Sequence, residues 1–424
     1  MATYTRQEQA LLGMLAGSKF THIMDFMVLM PLGPQLMRTF GIDTQQFGFL
    51  VASYTLSAGV AVLFSSLFID RLDRKKALIV VYAGFVLGTL ACGLAGTYEW
   101  LLLARMLTGV FGGLLNALVF SIIGDVFPIQ KRAGAMGWVM AAFSAAAAFG
   151  VPFGVYMASI GEWNWPFLFL AALSLPILIG MWFFVPAMSG TKKELNAEGK
   201  GLGPFAVLIR IFKNNNQLKA LGMTLSLVLG QFMLIPYISP YMVGNIGFTE
   251  MQLTYIYLVG GVITLFSGPY IGRLADKYGH KKLFMILASL SIIPLLLLTH
   301  LPAVGIPMAL VVTSLFFMLI SGRIIPSTTM VVSGVETRYR AGFMSVNTAM
   351  QQFAAGIAAI ISGSLVTEIA TSIPDVKAIV GYPLIGYLAV TLTLISMFLA
   401  SMVQPVEEDN NPVMPEKELE VEAS

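Results

Sequence analysis

The sequence predicts an all-α membrane protein in which twelve transmembrane helices form two pseudo-symmetric six-helix bundles. Composition is the first reason. Of the 424 residues, 57% are hydrophobic and 11% charged, against ~25% charged in soluble domains. Spacing is the second, because the charges cluster and leave apolar runs near the ~20 residues a helix needs to cross ~30 Å of hydrocarbon. Repetition is the third. The basic hairpin Asp70-Arg71-Leu72-Asp73-Arg74-Lys75-Lys76 has a near-copy 206 residues later in Gly272-Arg273-Leu274-Ala275-Asp276-Lys277-Tyr278-Gly279-His280-Lys281-Lys282. A second match, Arg132-Ala133-Gly134-Ala135-Met136 with Arg340-Ala341-Gly342-Phe343-Met344, recurs after 208 residues. Two motifs repeating at nearly one offset mark a duplication.

The runs lie at about 9–37, 46–69, 76–96, 100–127, 133–160, 166–186, 218–245, 251–272, 281–299, 305–334, 341–368 and 380–403. Backbone amides cannot stay unpaired in lipid, so these must be helices. The ten-residue alternating segments of a membrane barrel are not visible.

Span 1 carries Asp25 at mid-depth, with His22 one turn before it and Lys19 one turn further. A charge at the bilayer centre costs at least ~2.5–3.5 kcal/mol, so each such residue is a functional hypothesis. Lys19 either pairs near His22 or snorkels to the interface. Span 2 is apolar and ends in the first hairpin. Span 3 holds Cys92, the single cysteine, which excludes a disulfide framework and a cysteine metal site. Span 4 carries Arg105, the natural counter-charge to Asp25, and Asn116 as a candidate cavity residue. Span 5 ends in Gly150-Val151-Pro152-Phe153-Gly154. There Pro152 removes an amide donor, and Gly150 and Gly154 allow close backbone approach. Small-residue helix packing is the alternative to a mechanical role. The first bundle closes with span 6.

Hydrophobicity collapses over the linker, 187–217, where Lys192, Lys193, Glu194, Glu198 and Lys200 crowd together. Pro204 to Lys213 is too short to span and is expected along the membrane surface, with Arg210 and Lys213 toward headgroups. Span 7 contains Gln231 and Pro236-Tyr237-Ile238-Ser239-Pro240-Tyr241, whose prolines break the helical ladder and mark a gating bend. Its tyrosines either line the interior or form an interfacial belt. Span 10 carries Arg323, which has no charged counterpart in the first half. Span 11 carries Gln351 and Gln352. The division is therefore 1–186, the linker 187–217, a second bundle 218–403, and an acidic tail 404–424. That tail is expected to be solvated and disordered, a regulatory role being the alternative.

Twenty of the 25 Lys and Arg fall in loops on the side of the termini, two (Arg38, Lys377) on the opposite side, and Lys19, Arg105 and Arg323 inside spans. This asymmetry predicts cytoplasmic termini. The formal charge of +3 consequently reports topological anchors and not a nucleic-acid partner. The first apolar stretch is too long for a cleavable leader and is followed by more spans.

The chain resembles the major facilitator superfamily over its whole length, apart from linker and tail. The hairpins are similar to that superfamily's loop 2–3 motif. The second copy fits through Gly272, Asp276, Lys277, Gly279, Lys281 and Lys282, with His280 in place of a basic residue. In the first copy Ser66 and Asp73 stand where glycines are usual. Arg105-x-x-x-Gly109-x-x-x-Gly113 resembles the second superfamily motif, and Gly150, Pro152 and Gly154 resemble the antiporter motif of proton-driven drug efflux pumps and sugar-efflux permeases. The second half lacks an antiporter counterpart near Ile360 to Gly363.

The resemblance implies a secondary transporter working by alternating access, a monomer, and a bacterial inner-membrane location. It implies that Asp70 faces the N-terminus of span 11 beyond Arg340, where a helix dipole favours a carboxylate. Arg74 pairing with Asp125, together with Asp276 in the second copy, would complete a latch biasing a two-state equilibrium; positive-inside anchoring is the alternative. Desolvation disfavours ionised Asp25, the condition for a carboxyl that loads a proton near neutral pH. Arg105 would hold it charged until substrate or conformation separates them; a static packing pair is the alternative, and for His22 a hydrogen-bonded packing role. Arg323 either binds an anionic substrate group or orients Gln231, Gln351 or Gln352. A cavity rich in the 25 Met and 29 Phe would suit varied amphipathic compounds.

Enzymatic readings find no support. There is no phosphate-binding loop, the three histidines make no His-Glu-x-x-His, and serines lack a nucleophile elbow. The expectation is proton-coupled export of a small amphipathic compound, with no cofactor beyond the proton, a small-molecule substrate and the lipid bilayer as partners. Import of a sugar or organic anion by symport or facilitation is the rival.

Overall fold

The computed structural model describes residues 4–69, 73–185, 204–371 and 376–406. Span 1 is α1 (Arg6–Val28) continued, after a break at Leu29, by α2 (Gly33–Phe40). Thr5 starts α1 in a capping box with Glu8, each side chain answering the other's free amide. Spans 2 to 4 are α3 (Thr44–Ile69), α4 (Arg74–Gly93) and α5 (Tyr98–Val126). Span 5 is α6 (Ile129–Ala145), a π turn at Ala146–Gly150 and α7 (Val151–Ile160), and span 6 is α8 (Trp165–Phe184). The short α9 (Pro204–Lys213) precedes span 7, which is α10 (Asn215–Leu234), a 3-10 turn at Ile235–Tyr237, α11 (Ile238–Tyr241) and a second π turn at Met242–Ile246. Spans 8 to 11 are α12 (Glu250–Tyr278), α13 (His280–Thr299), α14 (Ile306–Ser333) and α15 (Thr337–Leu365), and span 12 is α16 (Tyr382–Met402). Between α15 and α16 lies an antiparallel hairpin of β1 (Thr367–Ala370) and β2 (Lys377–Val380), with Thr367 opposite Val380.

Among the described residues ten helices are long and apolar enough to cross a bilayer. The other two passages of the twelve, α1 and α15, are long but more polar, and the reason is visible in what they carry. On α1 these are Lys19, His22 and Asp25, all buried; on α15 they are Asn347, Gln351 and Gln352, buried or half-buried. Both helices turn polar side chains to protein and not to lipid.

The breaks in spans 5 and 7 have local causes. Pro152 cannot donate to the helical ladder and follows directly on the first π turn, the usual way a helix absorbs a lost bond. Pro236 and Pro240 do the same around the 3-10 turn of span 7.

The halves share their largest core at one end, while α3 also packs along α15, where Gly59 faces Ala349 and Phe353. The largest apolar cluster joins Val28, Phe47, Val155 and Phe167 of the first half to Tyr237, Tyr241, Ile256 and Phe316 of the second. That end lies opposite the termini and is called the far end below. Near the terminal end the clusters are separate. One is built around Leu12, Phe85, Ile122 and Val139 of the first half, another around Leu221, Phe284 and Phe343 of the second, which takes only Leu63 from the first. Span 5 repeats the asymmetry, since α7 and its π turn pack on α12 whereas α6 hardly touches it. A Cβ on Gly261 of α12 would come within 2.6 Å of the Ala148 Cα, so this close approach admits only glycine.

On the short helix α9, Arg210 is engaged within the protein. The Arg210 guanidinium lies 3.1 Å from the centroid of the Tyr339 ring and 3.8 Å from Glu336. It therefore ties α9 to the start of α15. The β hairpin was not anticipated in the loop between spans 11 and 12; the β-branched Val376, Ile379 and Val380 are the signal that marks it.

Candidate functional site

Asp25 sits at the centre of the first bundle and is wholly buried, as is Arg105. The Arg105 Nη1 donates to Asp25 Oδ2 at 2.8 Å and to the Asp25 carbonyl at 3.4 Å. Thr89 Oγ1 of α4 donates to Asp25 Oδ1 at 3.1 Å. The guanidinium lies 4.5 Å from the centroid of the Tyr54 ring of α3 and 5.9 Å from that of Phe167 of α8. Five helices thus contribute to one charge pair. Thr89 and Tyr54 were not anticipated, because a hydroxyl or a ring in an apolar run carries no spacing signal. The close approach of α3 to α5 explains how Tyr54 reaches the site. A Cβ on Gly109 would lie 2.3 Å from the Tyr54 carbonyl, and one on Gly113 2.7 Å from that of Ala58, which is the packing use of small residues at i and i+4.

His22 does not touch Asp25. It packs between Tyr54 and Phe85, with ring centroids 6.4 and 5.9 Å away, and its Nδ1 has no hydrogen-bond partner. Six residues along a helix turn Asp25 away from the face that carries Lys19. Lys19 is buried, donates to the Asn116 Oδ1 of α5 and lies 5.7 Å from the centroid of Phe120. It does not snorkel.

The other cavity candidates disperse. Gln231, Gln351 and Gln352 are half-buried. Tyr237 is fully buried and donates to the Thr44 carbonyl of the first half at 2.9 Å, which makes it part of the far-end closure and neither a cavity-lining nor an interfacial residue. Arg323 turns into its own bundle and does not reach the glutamines. Its Nη1 donates to Ser291 of α13 at 3.0 Å and to Thr393 of α16 at 3.1 Å, while Nε and Nη2 have no partner.

Of the latch residues, Arg74 and Asp125 are paired at 3.0 Å. Asp70 lies outside the described residues. Arg340 donates weakly to the Val335 carbonyl at 3.4 Å, and Asp276 is largely exposed, 3.8 Å from His280. Gly150 packs on Met24 and Phe20, and Gly154 on Val28 and Met24, so the antiporter-like stretch is pressed against the face of α1 that runs past Asp25 from Phe20 to Val28.

A second polar contact joins the halves at the far end. Glu250 of α12 accepts from Arg38 at 2.5 Å and from Gln35, both on α2. Beside it Thr44 donates to the Val366 carbonyl at 2.7 Å and to that of Gly363 at 3.3 Å. Sequence reading treated Arg38 only as a loop charge, because its partner is more than two hundred residues away.

The comparisons with known proteins agree with this architecture. The family model of the Major Facilitator Superfamily matches residues 15–359 and 220–421. The uncharacterized MFS-type transporter YbcL of Bacillus subtilis (strain 168) is 24% identical over 374 residues, covering 88% of this chain and 90% of that protein. The putative transporter AraJ of Escherichia coli (strain K12) is 21% identical over 268 residues, covering 62% of this chain and 65% of AraJ. Among solved structures, a bacterial homolog of the human lysosomal transporter Spinster, inward-facing and unoccupied, superposes with a TM-score of 0.71 at 15% identity over 95% of both chains. The nucleoside transporter NupG gives 0.68 at 15% identity, over 93% of this chain and 99% of its own. With twelve helical passages in two bundles and a family match over most of its length, this chain is a multi-pass membrane transporter and belongs to the Major Facilitator Superfamily.

Proposed function

We propose that this transporter is a proton-coupled antiporter that exports small amphipathic compounds across a bacterial inner membrane, with both termini in the cytoplasm. The carrying observation is the enclosed Asp25 and Arg105 pair with its Thr89 donor. A guanidinium keeps its charge, so parting the pair takes both a proton on Asp25 and, for Arg105, water or a substrate anion in place of the carboxylate. Parting without a proton leaves an uncompensated buried charge, which costs roughly 3–5 kcal/mol. Any rearrangement of α1 against α5 is therefore tied to proton uptake or release at Asp25. The clusters that join at the far end and separate at the terminal end support an alternating-access cycle of rocking halves. The bent segment at Gly150, Pro152 and Gly154, lying on α1, supports exchange over leak.

The test is proton release from purified protein in detergent on adding ethidium, arabinose or 1-naphthaleneacetate, for wild type and Asp25→Asn. Antiport predicts release with at least one of the three in wild type and none in Asp25→Asn. Binding without release in wild type overturns proton exchange and points to the importing facilitator or symporter.

A further inference from the structure

The charges buried in the described spans do not balance. Lys19, Arg105 and Arg323 are cations and Asp25 is the one anion among them. Asp25 is fully engaged by Arg105 and Thr89, so two positive charges are left over, and unmatched charge in hydrocarbon is costly. The two surplus cations differ in setting. Arg323 is enclosed between α13 and α16 within its own bundle. Lys19 lies at the seam of α1 and α5, beside the space between the halves.

Three observations place it there. Lys19, His22 and Phe26 are spaced i, i+3 and i+7 and share one face of α1. On that face Phe26 meets Phe232 of the second half, with ring centroids 6.2 Å apart. Across the seam Asn116 and Phe120 are half-buried and not enclosed. An ammonium has three N–H donors, and Lys19 uses one on Asn116. Among the described residues no carboxylate lies within ion-pair distance of it. His22, one turn away and 7% exposed, has a buried Nδ1 that is also unpartnered.

We infer that Lys19, with Asn116 and His22, recognises an anionic group of the transported compound, a carboxylate or a phosphate ester. The rings of Phe26, Phe120 and Phe232 take up its apolar body. This rests on the transport reading above and narrows the cargo from amphipathic compounds to amphipathic anions. An anion at Lys19 removes one of the two surplus charges and fills donors that are otherwise unmet. Asn116, accepting from the same ammonium, holds it in place between cargoes.

Equilibrium binding to purified protein in detergent, without any ion gradient, tests it. The probes are 1-naphthaleneacetate, 1-naphthyl phosphate, the neutral 1-naphthaleneacetamide and the cation 1-naphthylmethylammonium. Wild type is expected to bind one of the two anions about tenfold or more tightly than the amide, as a charge-assisted hydrogen bond implies. Whichever anion binds more tightly distinguishes carboxylate from phosphate cargo. Lys19→Gln is expected to erase the preference and Lys19→Arg to retain it. Asn116→Ala, which removes no charge, is expected to reduce it and guards against a Lys19 variant that fails to fold. Equal binding of amide and anions, tighter binding of the cation, or no binding of any probe by wild type overturns the assignment. An anion preference that stands while no proton is released on binding overturns the exchange mechanism alone.

Discussion

Asp25 has both carboxylate oxygens engaged inside the protein, one by Thr89 and one by Arg105, so its interactions are those of a closed pair. Removing one partner should cost more than removing both, because a lone buried charge is the expensive species. Asp25→Asn and Arg105→Gln are each expected to lower the melting temperature in detergent substantially, by an equivalent of roughly 3–5 kcal/mol. The double variant should recover much of that loss; additive losses would show that the pair is not energetically coupled. Glu8 is the titratable group at the surface whose behaviour is set by the fold. The Thr5 amide and then the Lys131 ammonium, 2.9 Å away, hold its carboxyl below the usual value of 4.5. A depressed carboxyl contributes stability that is present above the unfolded value and lost as pH falls through the folded one. Protection factors of the amides in the first turn of α1, taken against the unfolded-chain rate at each pH, should therefore fall below about pH 4.5, and the fall should be absent in Glu8→Gln.

Span 5 is the element whose form follows most directly from one residue. Pro152 follows the π turn and Gly150 and Gly154 set the turn against α1. Pro152→Ala restores an amide donor and should let α6 and α7 merge into one straighter helix. The expected result is intact folding with raised proton leak in proteoliposomes lacking substrate. An unchanged leak would reduce the motif to packing. Close contact of α7 with α12 also supplies a direct handle. Ser159 donates to the Met251 sulfur at 3.6 Å, and Cys92 is the single, buried cysteine. In a Cys92→Ala background, cysteines at positions 159 and 251 should cross-link readily and stop transport until reduced. Transport that continues with the bond formed would mean the far end need not open there.

For the whole molecule, the structure is the state in which the far end is shut, and its polar clasp is asymmetric. Glu250 from one half takes two donors, Arg38 and Gln35, from the other, while Tyr237 and Thr44 bridge nearby. An exposed ion pair alone is worth ~0.2–1 kcal/mol, enough to bias halves already near balance by a few-fold. Glu250→Gln should accordingly shift spin-label distances between positions 39 and 251 toward longer values, and unchanged distances would show that the apolar cluster holds the end shut by itself.

Much of this was legible in the residues. Twelve apolar runs, the repeated hairpins and the buried Asp25 and Arg105 follow from local chemistry, because hydrocarbon forces helices and makes every internal charge conspicuous. The arrangement of side chains was not legible in the same way. Whether Arg323 faces a cavity or Ser291 and Thr393, whether Tyr237 binds cargo or closes the far end, and whether Lys19 snorkels or meets Asn116 each depend on helix rotation. In uniformly apolar helices no amphipathic stripe fixes that rotation. Local chemistry fixes the number of crossings, the duplication and which charges lie within the spans, since these are set by the solvent one segment at a time. The tertiary structure alone decided which of those charges meet, because packing between segments far apart in the chain sets each helix's rotation.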